Sequence, residues 1–193
     1  MTGQVSMEAD SQKLVDEVAD RAAQASGAGA SAAAAFADGN VGLGVDIVEV
    51  DRMRRILART PSFAARVFSE DERAYCDSTS SPATHYALRF AAKEAVLKAL
   101  GTGFAQGIGV RDIEVRRLSS GKPAVRLTGA AKRVATEAGV REIPLSLTYT
   151  HTEAVACAMA ITDRSMQAAE ERKDPMEELA RKFKETRGFL DEI

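Results

Sequence analysis

The sequence predicts an α+β fold, a mainly antiparallel sheet packed on one long helix with helical extensions at both termini. Three observations carry this. Segments rich in β-branched residues recur between Val41 and Ile161, and the later ones are joined by short connections, which favours antiparallel neighbours over parallel crossovers. Thr84 to Leu100 is the strongest helical stretch, rich in Ala, Leu, Lys and Glu. With 193 residues, 45% hydrophobic and 28% charged, the chain can bury a core, and a wholly disordered or collagen-like chain is excluded.

Residues 1–40 read as an amphipathic helix with Leu14, Val15, Val18 and Ala22 at helical spacing, followed by an Ala/Gly/Ser-rich linker. The composition changes at Val41, where Val41 to Val50 has the signature of a strand and opens a domain expected to span residues 41–162. Asp51 to Arg59 sets Met53, Ile56 and Leu57 on one helical face and Arg52, Arg55 and Arg59 on another. Ser69-Glu70-Asp71-Glu72 has the form of a capping box, so a short helix through Tyr75 follows. In the long helix Leu88, Ala91, Ala92, Ala95 and Ala99 share a face whose alanines permit close packing against a sheet, and Gly101 is placed to cap its end. Asp112 to Val115 and Ala124 to Leu127 flank Ser119-Ser120-Gly121-Lys122-Pro123 and read as a hairpin. A helix from about Ala130 to Ala138 ends at Gly139, and strands Leu145–Thr150 and Ala154–Ile161 close the domain. Residues 163–193 form a charged extension in which Asp174-Pro175 starts an accessory helix.

Lys+Arg 26 against Asp+Glu 28 leaves a net charge of −2, so no global positive field draws the chain to nucleic acid or anionic lipid, and any anion site must be local. No window approaches the ~20 apolar residues of a membrane span. Cys76 and Cys157 match neither a disulfide framework nor a metal pair and read as reduced thiols, Cys157 as a small buried hydrophobe in an apolar run. No basic segment precedes an apolar stretch at the N-terminus, so a cytoplasmic location is expected.

Two carboxylates stand out. Asp46 interrupts an apolar strand, where a carboxylate either points to solvent or has a partner or metal. Glu94 and Lys98 have the order of a helical ion pair, which on its own is usually surface decoration. Arg89, Lys93, Glu94 and Lys98 nevertheless place three cations and a carboxylate on nearby parts of one helix, before Gly101-Thr102-Gly103. Such a group suits a polyphosphate with a divalent ion, although the Gly-Thr-Gly alone reads as a C-cap and turn. His151 lies in a turn between strands, where either a structural or a binding role is open.

Together, Gly42-x-Gly44-x-Asp46-Ile47-Val48-Glu49-x-x-Arg52, Arg89-Phe90-Ala91-Ala92-Lys93-Glu94-Ala95-x-x-Lys98-Ala99-x-Gly101-Thr102-Gly103, Asp112-Ile113-Glu114, Gly121-Lys122-Pro123 and Thr150-His151-Thr152 resemble the holo-[acyl-carrier-protein] synthases. These are the small, bacterial-type 4′-phosphopantetheinyl transferases. The resemblance covers about Val41 to Ile161. It implies the 4′-phosphopantetheinyl transferase fold and transfer of 4′-phosphopantetheine from coenzyme A to a serine of apo-acyl carrier protein, releasing adenosine 3′,5′-bisphosphate and serving fatty acid and lipid synthesis. It further implies Mg2+ held by Asp46 and Glu94, with Glu94 or a water it positions activating the serine and Lys98 neutralising the leaving group. Arg89, Lys93, Gly103, Lys122, Pro123 and His151 match positions that approach coenzyme A. Arg52, extended by Arg55, Arg59, Phe63 and Arg66, matches the surface that meets the acidic carrier protein, and family members are homotrimers with active sites between subunits. The competing function is a module that binds coenzyme A or carrier protein without turnover. Tyr149 departs from the small aliphatic residue frequent at its position.

Overall fold

In a computed structural model, the described residues are 36, 39–103 and 106–171. The expected helix of residues 1–40, most of its linker and the helix from Asp174 lie outside them. Strand β1 (Gly42–Glu49) leads through α1 (Val50–Arg59), α2 (Ser62–Val67) and α3 (Glu70–Asp77) to the long α4 (Pro82–Leu100). A 3-10 turn (Val110–Asp112) precedes β2 (Ile113–Arg117) and β3 (Pro123–Leu127). Then come α5 (Gly129–Glu137), β4 (Val140–Glu142), β5 (Leu145–Tyr149), β6 (Glu153–Thr162) and α6 (Asp163–Glu171). Every strand pairing among these residues is antiparallel, as expected for an α+β fold.

Strand β6 is the spine of the larger sheet. β1 pairs along one edge, with Asp46 opposite Ala156, and β5 pairs along the other, with Leu147 opposite the same alanine. Side chains alternate faces along a strand, so Gly42, Gly44 and Asp46 look one way with Ala154, Ala156, Ala158 and Ala160, all four of them fully buried. Helix α4 lies on that smooth floor with Ala91, Ala95 and Ala99 buried against it. A Cβ at Gly44 would stand 1.9 Å from the Ala95 carbonyl oxygen, and one at Gly42 would stand 2.0 Å from that of Ala99. The two glycines therefore let helix backbone rest on strand backbone, closer than any side chain permits.

The opposite face of the sheet is apolar and open: Leu43, Val45 and Ile47 of β1 are 62%, 46% and 59% exposed. The apolar run of β6 is therefore two-faced, and this corrects the expectation for Cys157, which is half-exposed on the outer face while Cys76 is fully buried. Both thiols are free, as expected.

Helices α1 to α3 and the first half of α4 form a second cluster around Met53, Phe63, Phe68 and Tyr86. The capping box forms as read, with the Ser69 side chain accepting from the Glu72 amide and the Glu72 side chain accepting from the Ser69 amide. Helix α2 (6 residues) and strand β4 (3 residues) carry too little periodicity to be recognised in the sequence. Asp112, expected in a strand, instead turns its carboxylate to accept from the amides of Gly109 and Ala130, each at 3.1 Å. Phe36, which precedes the expected domain boundary, is buried in the first cluster, between α4 and the larger sheet.

Candidate active site

Strand alternation aims Asp46 at helix α4, and the glycine contact brings that helix within reach. Lys98 Nζ donates to Asp46 Oδ1 at 2.8 Å and to the Val45 carbonyl at 3.0 Å. Asp46 is thus half-buried with a partner rather than turned to solvent. Glu94 and Lys98, readable as a helical pair, do not bond each other, because the strand offers the ammonium a carboxylate and a carbonyl together. Glu94 lies one turn earlier, 6% exposed, and its Oε1 has no hydrogen-bond partner. Burial, reinforced by the negative charge of Asp46 and opposed by Lys98, pushes the Glu94 carboxyl up to about 7. Two carboxylates and one ammonium, one oxygen of them buried and unsatisfied, make a site poised for a cation or a proton.

Arg89 and Lys93 leave the helix on another side, Arg89 roughly 140° around the axis from Glu94 at 100° per residue. Lys93 is fully buried. Its Nζ donates to Glu72 Oε2 at 2.9 Å, to the Val110 carbonyl at 3.3 Å and to the Ile113 carbonyl. Lys93, matched to the helix that contacts coenzyme A, thus lies with its ammonium in the core, held by a carboxylate beneath the helix. Arg89 is also buried, at 5% exposure, with its guanidinium 4.1 Å from the centre of the Tyr75 ring and Nη1 3.5 Å from the His85 carbonyl. Its Nε has no partner, and among the described residues no carboxylate pairs with it. A buried, uncompensated guanidinium is an anion site in waiting.

Around Arg89 stand residues that spacing alone could not assemble. His85 lies 5.5 Å from the Tyr75 ring and 6.3 Å from that of Tyr149. Burial and the charges of Arg89 and Arg117 hold the His85 imidazole below its ordinary range. These groups come from α3, α4, β2 and β5, and no sequence signal links them.

The remaining positions are dispersed. Gly103 is buried with φ 54° just after the left-handed cap at Gly101, matching the turn reading of Gly-Thr-Gly. Lys122 is exposed at the hairpin turn, and Pro123 begins β3 opposite Arg117. His151 is exposed in the β5–β6 turn, where the Thr150 hydroxyl accepts from the Thr152 and Glu153 amides at 3.2 and 3.0 Å. The structure thus brings Asp46, Glu94 and Lys98 together, leaves Arg89 on another side of α4, and places Lys122, Pro123 and His151 on other elements.

On α1, Arg55 and Arg59 are exposed and Arg52 is half-buried, as is Arg66 of α2. Phe63 departs from that surface. It is 2% exposed, with its ring 6.2 Å from those of Phe68 and Phe90, because the apolar face of α2 closes the second core cluster.

A family model described as the 4′-phosphopantetheinyl transferase superfamily matches residues 42–160. The chain is 48% identical over 123 residues to the holo-[acyl-carrier-protein] synthase of Anaeromyxobacter sp. (strain K), covering 62% of this chain and 94% of that one. Among solved structures, it is similar to the holo-[acyl-carrier-protein] synthase of Neisseria meningitidis, with a TM-score of 0.58 and 31% identity, covering 62% of this chain and 96% of that one. It is likewise similar to the holo-(acyl-carrier-protein) synthase of Bacillus anthracis str. Ames in complex with CoA (3′,5′-ADP), with a TM-score of 0.52 and 31% identity over 63% of this chain and 96% of that one.

Proposed function

The chain belongs to the 4′-phosphopantetheinyl transferase superfamily, and from that premise we propose that it is the enzyme that moves 4′-phosphopantetheine from coenzyme A to a serine hydroxyl of apo-acyl carrier protein. The relatives named as holo-[acyl-carrier-protein] synthases and the one solved with CoA support this reading. The observation that carries it is the unpartnered, buried Oε1 of Glu94 beside the Asp46–Lys98 pair.

The reaction forms a bond from serine Oγ to phosphorus and breaks the bond from that phosphorus to the oxygen of adenosine 3′,5′-bisphosphate. Charge builds on the leaving phosphate, and the serine must lose its proton. Glu94 Oε1 lacks a competing donor, so it is free to accept that proton, directly or through a water it positions. Lys98 Nζ, steadied by Asp46 and the Val45 carbonyl, supplies positive charge for the leaving phosphate. Arg89, buried without a counter-charge, suits a phosphate of coenzyme A, and Gly103, Lys122, Pro123 and His151 are assigned to the same substrate.

Asp46 and Glu94 are the residues that would hold Mg2+. Two carboxylates fit this ion, which prefers one or two protein carboxylates and takes its other ligands from water and substrate phosphates. Among the described residues no larger group of His, Cys, Asp and Glu competes for it. When bound, the ion would neutralise pyrophosphate charge and orient the displacement.

The exposed arginines Arg55 and Arg59, with Arg52 and Arg66, are assigned to the acidic carrier protein, whose encounter a basic patch accelerates. The open apolar face bearing Leu43, Val45, Ile47 and Met159 is assigned to contact between copies of the chain in a homotrimer. A trimeric arrangement lets Arg89, Lys122 and His151 of one copy serve the carboxylates of another. Residues 41–162 are assigned as the transferase unit, with 1–40 and 163–193 as extensions. No described helix is long and apolar enough to cross a membrane. A cytoplasmic role in fatty acid and lipid synthesis completes the proposal.

The test is intact mass spectrometry of apo-acyl carrier protein incubated with this chain, coenzyme A and Mg2+. A gain of one phosphopantetheine mass, absent without the metal and with Glu94→Ala, is expected. No gain with a folded chain that binds coenzyme A would move the reading to a binding module.

A further inference from the structure

We propose that Lys93 is a positioning residue for Glu94, held in a buried clasp with Glu72, and that it makes no contact with coenzyme A. The inference rests on the function proposed above and assigns a role to two charges that function leaves unused.

A lysine ammonium has three protons to donate. At Lys93 three acceptors take them: Glu72 Oε2 at 2.9 Å, the Val110 carbonyl at 3.3 Å and the Ile113 carbonyl. No donor remains for a phosphate, and with both side chains of the pair at 1% exposure no phosphate can reach one. Glu72 is equally committed. Its Oε2 also accepts from the Ser69 amide at 2.8 Å and its Oε1 from the Val115 amide at 3.0 Å. One carboxylate therefore completes the capping box of α3, anchors strand β2 and holds α4 through Lys93.

The clasp joins α3, the 3-10 turn, β2 and α4 at the residue directly before Glu94. Helix α4 is held on its other side by the Gly42 and Gly44 contacts with Ala99 and Ala95. Helix rotation is thus limited from both sides, and rotation is the motion that would swing Glu94 away from Asp46. Sending the Lys93 ammonium outward to a phosphate would strand a carboxylate and two carbonyls in the core, a cost that a site for a solvated anion cannot recover.

The experiment replaces both charges with groups of similar length, Lys93→Met with Glu72→Met, in the full chain. Thermal melting, kcat, KM for coenzyme A, and Mn2+ affinity measured without substrates are compared with the native protein. Replacing both partners avoids an unpaired buried charge, but it takes partners from the Ser69 and Val115 amides and from the Val110 and Ile113 carbonyls, so a chain that folds with a lowered melting temperature is expected. Positioning predicts a KM for coenzyme A within about twofold of native, with kcat and Mn2+ affinity each lowered about tenfold, the size of effect that outer-shell partners have on metal sites. A raised KM at native kcat would identify Lys93 as a phosphate ligand, and native kcat, KM and Mn2+ affinity would make the clasp merely structural; either result overturns the proposal. If the double variant does not fold, Lys93→Arg keeps the charge but changes the clasp geometry. Lowered kcat and Mn2+ affinity at native KM then support the proposal, and raised KM or native values throughout overturn it. If the native chain itself transfers nothing, the proposed function fails, and the Mn2+ arm still tests the clasp.

Discussion

Glu72 packs beneath helix α4 and Glu94 is carried by it; both carboxylates are taken out of water, and their surroundings differ completely. Glu72 receives the Lys93 ammonium and two backbone amides, so each of its oxygens is satisfied. Glu94 has Oε1 without a partner, a second carboxylate nearby, and the one available ammonium drawn off to Asp46. The first arrangement is what a fold does to hide a charge. The second is energetically unfavourable for the protein alone, and is tolerated where a ligand completes it. Satisfaction, more than burial, separates the carboxylate that the fold closes from the one proposed to act.

This contrast can be broken at its strongest point by Glu94→Ala. The substitution is expected to lower kcat/KM for carrier-protein modification by about a thousandfold, roughly 4 kcal/mol of transition-state stabilisation. The folded protein should persist, as circular dichroism would report. Glu72→Ala should do the reverse, costing about 3 kcal/mol in urea unfolding because it leaves Lys93 charged and unpaired in the core. Similar losses of stability at the two positions would erase the distinction.

Gly44→Ala tests the contact that brings the halves of the site together. Its Cβ would meet the Ala95 carbonyl oxygen at 1.9 Å and the Ala99 nitrogen at 2.6 Å, and neither backbone can yield cheaply. A loss of roughly 2–3 kcal/mol is expected, with activity falling further than stability explains, because Asp46 moves away from Glu94.

A pH series sharpens the contrast. The Glu94 carboxyl is raised from 4.5 to about 7, so between those values the folded protein keeps a proton that the unfolded chain has released. The folded state binds more protons there, and metal-free stability should fall as pH rises across that window. Melting in a chelator at pH 5 and pH 8 should show this decline, and Glu94→Gln should flatten it, gaining roughly 1–3 kcal/mol at pH 8. The smallest effect is expected on the basic face of α1 proposed for carrier protein: Arg55→Glu should raise KM for carrier protein several-fold at low salt, with the difference shrinking as salt rises.

Much of the architecture was legible because it is local. The capping box at Ser69–Glu72, the long helix with its Gly101 cap, and the hairpin around Gly121 each depend on neighbours in sequence, and each formed. Asp46, Glu94 and Lys98 were legible as residues, through the motifs that carry them, but not as a geometry. Lys98 chose a strand carboxylate over its helical neighbour because Gly42 and Gly44 bring that strand so close. The burial of Phe63 and of Lys93 was not legible for one shared reason. An aromatic ring or an ammonium reads as surface or core only once its partners are known, and Phe90 for the ring and Glu72 for the ammonium come from other elements. The outer face of β6 was missed because Val155, Cys157, Met159 and Ile161 alternate with alanines, and in one dimension the segment is uniformly apolar.

By itself, the sequence determined where the helices and the longer strands run, which family of chemistry the motifs belong to, and which carboxylates to suspect. Those features follow from periodicity, capping and residue order, all short-range properties. Only the tertiary structure decided which carboxylate is satisfied and which is left open, because hydrogen-bond partners and exclusion of water are set by elements far apart in the chain. Glu72 and Glu94 carry the same side chain, and the fold alone closes one in a clasp and leaves the other with an open oxygen.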